Sequence, residues 1–391
     1  MDLRSEAILA PTIRFDKPLA ENSIQPESVF LTGATGFLGA YLLAELLRKT
    51  AANVYCLVRC EHPDEGKLRL QNALRSYSLW KEEFSSRVIP VVGDLSKPLL
   101  GLSEAYFGEL AGRLNVIYHN GAQISFIRPY SALKKTNVFG TQEVLRLAGL
   151  IKTKPVHFVS SMAVFLSQTG SPMGKVLETD IPEFNPGMKM GYGQSKWVAE
   201  RLVMVAQERG LPATIHRAVR IMGDTKTGVM GNLDDSLCRL MKGCIQLGKF
   251  PALDIPVTFI PVDYTSQAII YLSLKEDAFG KAFHLFNPHV ASWKILFNKI
   301  TSLGYALEEV AYENWLEELK RKESEEPKNK LYQFLLLFLR SPNNLFAPKP
   351  QFDARYTFER LSDASIFCPS VDKLVPVYFS YFQEISYIPS P

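Results

Sequence analysis

The sequence predicts an α/β protein: a doubly wound parallel sheet followed by a smaller, mostly helical C-terminal lobe. Three observations carry this. Short apolar runs alternate with periodic helical segments through roughly the first 220 residues. The turn "TGATGFLG" follows the first run and opens a helix. Beyond about residue 275 helical segments dominate. Alternating order calls for parallel strands with helices on both faces. Strands that are apolar throughout fit a sheet covered on both sides.

Residues 1–27 are polar, carry Pro11, Pro18 and Pro26, and read as a leader or linker. The run Val29–Thr32 is the first strand, and a periodic helix begins at Leu38. "NVYCLVR" (53–59) is the second strand, followed by a charged helix around "DEGKLRLQNALRSYSLW". "RVIPVVGDL" is the third, ending at Asp94, and "LNVIYHNGA" the fourth, ending at Asn120. "TNVFGTQEVLRLAGL" is a helix and "PVHFVSSMAVF" the fifth strand. "MGYGQSKWVAE" opens another helix, and "ATIHRAVRI" is the sixth strand. We therefore expect a nucleotide-binding domain over 28–275 and a C-terminal lobe over 276–391. In that lobe "KRKESEEPKNK" reads as a solvated helix end, because mixed-sign charge is ordinary surface.

Bulk properties narrow the function classes. At 391 residues, 47% hydrophobic and 21% charged, the chain is globular and large enough for coupled domains. A net charge of +4 is too small to argue for nucleic acid. The cysteines (56, 60, 238, 244 and 368) are scattered, without metal-ligand spacing, as in a reduced cytoplasmic chain. "MDLRSEAILAPTIRFD" mixes charges early and lacks the apolar core of a signal peptide. The late run "FLLLFLR" is far short of the roughly 20 residues a membrane span needs, and reads as a buried helix.

The glycine turn is the strongest local signal. Gly33, Gly36 and Gly39 are spaced G-x-x-G-x-x-G between a strand and a helix. Glycine lets the backbone turn tightly and approach a pyrophosphate. The helix N-terminus supplies free N–H groups and a positive dipole end. Thr32, Thr35, Phe37 and Leu38 complete this cofactor cradle. The second strand ends at Arg59, where NAD-binding folds usually hold an acidic residue for the ribose 2′-hydroxyl. Arginine instead suits a 2′-phosphate, so NADPH is expected, with Arg69 assisting from the next helix. Asp94 and Leu95 end the third strand where an adenine ring would lie. Asn120, Gly121 and Ala122 end the fourth.

Chemistry is expected at Ser161, Tyr192 and Lys196. Ser160 and Ser161 close the fifth strand, and Tyr192 and Lys196 lie one helical turn apart about thirty residues later. A tyrosine hydroxyl can donate to a carbonyl oxygen while hydride arrives at carbon. The lysine cation lowers the tyrosine pKa and can also hold the nicotinamide ribose. Ser161 is the expected catalytic serine, fixing the carbonyl oxygen from the other side. Ser160 is either on the cofactor side or structural. Asn137 either organises the site helix or caps its start.

Together these stretches resemble the extended short-chain dehydrogenase/reductase superfamily, with its Rossmann-like sheet. "VFLTGATGFLGAYLLAELL", "RVIPVVGDLSKPLLGLSE", "VIYHNGAQISFIRPYSALKKTNVFGTQEVLRLA", "GYGQSKWVAERLV" and "PVDYTSQAI" look more narrowly like a thioester reductase domain. Such domains end nonribosomal peptide and polyketide assembly lines and carboxylic acid reductases. The resemblance implies NADPH-dependent reduction of an acyl or peptidyl thioester on a carrier protein's phosphopantetheine arm. Hydride addition and loss of the thiol release an aldehyde; in some members a second hydride gives a primary alcohol. It implies Ser161 and Tyr192 on the carbonyl oxygen, and Lys196 tuning Tyr192. The glycine turn, Arg59, Arg69, Asp94 and Asn120 to Ala122 would hold NADPH. The family commonly has Pro-Gly after the sixth strand, near the nicotinamide; here "HRAVRIMGD" places Ala218 and Val219 there.

The sequence contains no adenylation core and no attachment serine for phosphopantetheine. We expect an excised terminal domain or a stand-alone reductase, monomeric and cytoplasmic, served by a carrier in trans. Competing readings are a fatty acyl-CoA reductase, an NAD-dependent sugar-nucleotide epimerase or dehydratase, and a redox-sensing binding protein without chemistry. Arg59 argues against the epimerase, and the intact Ser161–Tyr192–Lys196 set against the binding protein.

Overall fold

Seven parallel strands form one sheet in the computed structural model, which describes residues 2–125, 127–166, 174–253, 255–339 and 350–391. In chain order the first five strands are β1 (Ser28–Thr32), β2 (Asn53–Val58), β3 (Val88–Val92), β4 (Val116–His119) and β5 (Val156–Ser161). A short β6 (Lys175–Val176) stands apart from the sheet and pairs with β9 (Gln351–Phe352); β7 (Ala213–Ala218) and β8 (Ala282–Leu285) complete it. The spatial order is β8-β7-β5-β4-β1-β2-β3. It reverses direction between β1 and β4, the place where such sheets hold dinucleotides. The strands are buried almost throughout, as their apolar sequences require.

The helices follow the predicted alternation. α1 (Phe37–Lys49) buries every residue from Leu38 to Leu47, and α2 (Pro63–Ser76) starts on a proline, whose missing N–H costs nothing in a first turn. α3 (Glu104–Arg113) is capped by the Ser103 hydroxyl. α4 (Tyr130–Lys134) continues through a π-helical turn (Lys135–Phe139) into α5 (Gly140–Gly149). Of the catalytic candidates, Tyr192 and Lys196 lie on α6 (Gly191–Glu208) and Ser161 ends β5.

Contacts divide the chain into two units, and neither matches the contiguous domains expected. One comprises Met1–Val219, Thr265–Leu285 and Lys349–Phe367; the other comprises Arg220–Tyr264, Phe286–Pro348 and Cys368–Pro391. The reason is β8. It hydrogen-bonds to β7 from beyond residue 275, so the sheet recruits chain that the helical pattern had assigned to the lobe. The second unit has its own core around Trp293, Phe297, Trp315, Phe379 and Phe382, and carries three short strand pairs besides helices. Its helix Lys330–Leu339 buries Tyr332 and Leu335 and half-buries Phe334 and Leu336; the side chains of the late apolar run beyond 336 lie outside the described residues.

The leader is not a loose linker. Leu3, Leu9, Ile13 and Phe15 are buried in the first unit's core, and the Arg209 guanidinium donates to the carbonyls of Leu9, Ala10 and Ile13. Its widely spaced apolar residues hide this role in a polar sequence. Among the described residues no helix is long and apolar enough to cross a membrane, and no cluster of side chains could hold a metal ion.

Candidate active site

Parallel strands put their carboxyl ends on one edge of the sheet. Gly33, Arg59, Asp94, Asn120 and Ser161 all lie at or just past the ends of β1 to β5, so these predicted residues share that edge.

Gly33 has φ +74°, and a Cβ there would sit 2.8 Å from the Gly121 backbone. A Cβ on Gly39 would lie 1.9 Å from the Gly33 carbonyl oxygen, so the first and third glycines are required by the turn itself. Gly36 differs: a Cβ would meet only the Gly33 oxygen, at 3.4 Å. Thr35 and Gly36 are exposed, and no side chain caps the α1 N-terminus. The opening N–H groups of Phe37 and Leu38 therefore have space in front of them, as a bound pyrophosphate needs. The chain's residues fit a dinucleotide here.

Thr32 does not present its side chain to that space. Its buried hydroxyl accepts from the Gly121 N–H at 2.8 Å and lies 2.8 Å from His119 Nδ1. The opposite nitrogen, Nε2, lies 2.9 Å from Thr141 Oγ1, whose own proton goes to the Asn137 carbonyl. Proton order follows: Nε2–H donates to Thr141, and the Thr32 hydroxyl donates to Nδ1. Burial first, and the Lys196 charge second, hold the His119 pKa down to about 3, which keeps the ring neutral as this chain requires. The Thr32 side chain thus shapes the Gly121 turn instead of facing the space before α1.

Arg59 is exposed immediately beyond β2, and Arg69 Nη1 donates to the Arg59 carbonyl from α2. The two arginines are brought together, with Glu65 3.9 Å from Arg69. Asp94 accepts from the Ser96 N–H and hydroxyl, both at 2.8 Å. Burial disfavours its charge, but those bonds and the Arg59 and Lys97 charges prevail and lower its pKa. Leu95 packs against the backbones of Gly121 and Gly140, either of which a Cβ would drive into it. Asn120 Nδ2 reaches the Gly33 carbonyl at 3.4 Å, and Ala122 is half-buried.

Asn137 sits in the π-turn, a distortion found often at functional sites. It is no helix cap. Its amide exchanges hydrogen bonds with the Gln123 backbone (2.7 and 3.0 Å) and donates to Ser195 Oγ at 2.9 Å. Ser195 in turn donates to the Tyr192 carbonyl. Asn137 therefore fixes the first turn of α6 to the loop after β4.

Tyr192 and Ser161 share a hydrogen bond. Burial pushes the tyrosine pKa up to about 12, and the Ser161 bond partly opposes that rise. The phenol is neutral at physiological pH and holds a proton to donate. Lys196 lies one turn beyond Tyr192 on α6. Its buried ammonium donates to the Val159 carbonyl at 2.6 Å and lies 4.1 Å from the Phe158 ring centroid. Burial holds its pKa down to about 7, with Glu200 opposing. Ser161 Oγ also accepts from the Ala163 N–H.

Ser160, one residue earlier on β5, is buried. Its buried hydroxyl donates to Glu200, which resolves its two readings toward the structural one. Ala218 is buried and paired with Ser161 across β5 and β7. Val219 continues the strand pattern by donating to the Leu285 carbonyl at 3.1 Å, so this backbone does not demand the glycine that the family commonly has. Sequence reasoning missed His119, Thr141, Ser195, Glu200 and Arg217. Only Glu200 had a legible signal, its one-turn spacing from Lys196.

The family model described as "Male sterility protein" matches residues 31–269. The chain is 41% identical over 373 residues to a linear gramicidin synthase polypeptide of Brevibacillus parabrevis, covering 95% of this chain but 7% of that protein. It is 32% identical to the L-2-aminoadipate reductase large subunit of Penicillium chrysogenum, covering 93% of this chain and 28% of that one. The chain thus spans less than a third of either relative. Among solved structures, the terminal R domain from the myxalamid PKS-NRPS biosynthetic pathway superposes with a TM-score of 0.92 at 38% identity, covering 100% of this chain and 99% of that one. The chain belongs to the family of that model and is an oxidoreductase of the reductase (R) domain type found in nonribosomal peptide and polyketide synthases.

Proposed function

We propose that the protein catalyses NADPH-dependent reductive release of an acyl or peptidyl thioester from the phosphopantetheine arm of a carrier protein, giving an aldehyde. One observation carries the reading: the Ser161 and Tyr192 hydroxyls meet at the sheet edge that also bears the open α1 N-terminus. Lys196 lies one turn further along α6.

When bound, NADPH supplies the hydride. The α1 N–H groups receive its pyrophosphate, and Arg59 with Arg69 receives the 2′-phosphate. Ser161 and Tyr192 donate hydrogen bonds to the thioester carbonyl oxygen as the carbon accepts hydride. Tyr192 gives up its proton to the developing alkoxide. The resulting hemithioacetal loses its C–S bond as its hydroxyl proton passes to the departing sulfur, so that free thiol and aldehyde are the products. Lys196 holds the nicotinamide ribose and supplies positive charge beside the proton donor. A second hydride delivered to the aldehyde would give the primary alcohol.

The protein is read as a monomer, and its five free cysteines suit a reducing cytoplasm. The test is to mix the protein with NADPH and an acyl thioester loaded on a carrier protein, follow absorbance loss, and identify the product. Aldehyde formation matching NADPH loss supports the reading. No consumption with any carrier-bound thioester refutes it, and turnover of acyl-CoA alone favours the acyl-CoA reductase. NADH serving as well as NADPH refutes the roles of Arg59 and Arg69.

A further inference from the structure

We propose that Glu200 is a positioning residue of this centre, fastening the helix that carries Tyr192 and Lys196 to the strand that carries Ser161. The inference rests on the reaction proposed above.

Glu200 lies one turn beyond Lys196 on α6 and is fully buried. One carboxylate oxygen accepts from the Ser160 hydroxyl. The other accepts from Arg217 Nε at 2.9 Å and is ion-paired with Nη2, also at 2.9 Å. Ser160 and Arg217 are paired neighbours on β5 and β7, directly before the pair Ser161 and Ala218. A single carboxylate therefore pins one helix to two strands, one residue short of the catalytic serine.

The junction is complete. The remaining Arg217 protons go to His284 Nε2 at 3.0 Å and to the carbonyls of Glu178 and Asp180. His284 Nδ1 lies 2.7 Å from the Asp353 carbonyl and must donate to it, so Nε2 is the bare nitrogen that accepts from Arg217. Burial, and then the Arg217 charge, hold the His284 pKa down to about 4, in keeping with a neutral ring. A buried ion pair contributes little net stability compared with apolar packing of the same volume. Its value here is geometric: a misplacement of about 1 Å in a catalytic group costs about a hundredfold in rate.

Glu200 also acts on charge. Around the Lys196 ammonium lie Glu200 from α6, the Val159 carbonyl and Phe158 ring from β5, and the neutral His119 from β4. Glu200 is the one anion among those groups, with Arg217 behind it. It opposes the loss of the Lys196 proton that burial favours.

The test compares Glu200→Gln, Glu200→Asp and Ser160→Ala with the wild type, reading kcat, KM for NADPH and the pH profile of kcat/KM. Glu200→Gln should lower kcat about tenfold or more and move the alkaline limb about one unit toward acid, since Lys196 loses its countercharge. Glu200→Asp, which keeps the charge, should restore the limb but not the full kcat. Ser160→Ala should leave the limb in place and lower kcat about tenfold, with KM for NADPH changed less than about twofold. A folded Glu200→Gln with wild-type kcat and limb, altered only in melting temperature, overturns the proposal. If Glu200→Gln does not fold, Ser160→Ala decides: kcat within about twofold of wild type overturns it. The limb is also read from NADPH affinity by fluorescence titration, which needs no thioester. A wild type that binds NADPH but turns over no thioester refutes the reaction and leaves this test standing.

Discussion

Replacing Tyr192 by phenylalanine removes one oxygen and little else. The ring stays half-buried at the start of α6, and Ser161 loses one hydrogen-bond partner, worth about 1 kcal/mol of stability. The catalytic loss is larger. With its pKa pushed up to about 12, the phenol is protonated at physiological pH and is the proton source closest to the reacting oxygen in the proposed mechanism. Removing a positioned donor of this kind costs about a hundred- to a thousandfold, and removing general acid catalysis falls in the same range. Ser161 remains as the second donor, so the two losses should not add in full. We expect kcat to fall about a thousandfold, equivalent to about 4 kcal/mol of transition-state stabilisation, with NADPH affinity changed less than about threefold. The assay is single-turnover NADPH oxidation with a carrier-bound thioester, alongside fluorescence titration of NADPH and a thermal melt. A variant that melts like wild type and keeps more than about a tenth of its kcat would refute the assignment of Tyr192 as proton donor.

Further outcomes follow from the same geometry. Arg59→Ala should reduce the preference for NADPH over NADH by about ten- to a hundredfold, the worth of one charge-assisted hydrogen bond, measured as the ratio of the two kcat/KM values. Gly39→Ala would place a Cβ 1.9 Å from the Gly33 oxygen and should abolish NADPH binding along with the turn. Gly36→Ala, with its nearest atom at 3.4 Å, should keep the wild-type melting temperature but weaken NADPH at least about tenfold by filling the space in front of α1. Lys154 is buried and donates to the carbonyls of Ala111, Leu150 and Lys152. Lys154→Leu removes the donor shared by those carbonyls, of which Leu150 keeps only the Lys152 N–H, and should lower stability by about 2–4 kcal/mol in urea melts. Burial holds the Lys154 pKa down to about 7, against 10.5 for an ordinary lysine. Between those values the unfolded chain binds the additional proton, so stability should rise with pH across that window in the wild type. The variant should lose that slope.

What the sequence by itself determined was the order of the elements and the residues at their ends. Strand alternation, the glycine turn and the Tyr192–Lys196 spacing are local features. Each is written within a few residues, and a parallel sheet then places its strand ends on one edge without further information. That is why Gly33, Arg59, Asn120 and Ser161 were legible as a set. The tertiary structure decided whatever depends on contacts between distant segments. It brought β8 into the sheet from beyond residue 275 and buried the apolar residues of the leader. It turned Ser160 toward Glu200 while Ser161 met Tyr192. It also committed Thr32 to His119 and sent the Lys196 ammonium to the Val159 carbonyl. The physical reason is the same in each case. A buried hydroxyl, imidazole or ammonium must find a partner, and which partner lies within 3 Å is fixed by how strands and helices pack, which residue spacing along the chain does not encode.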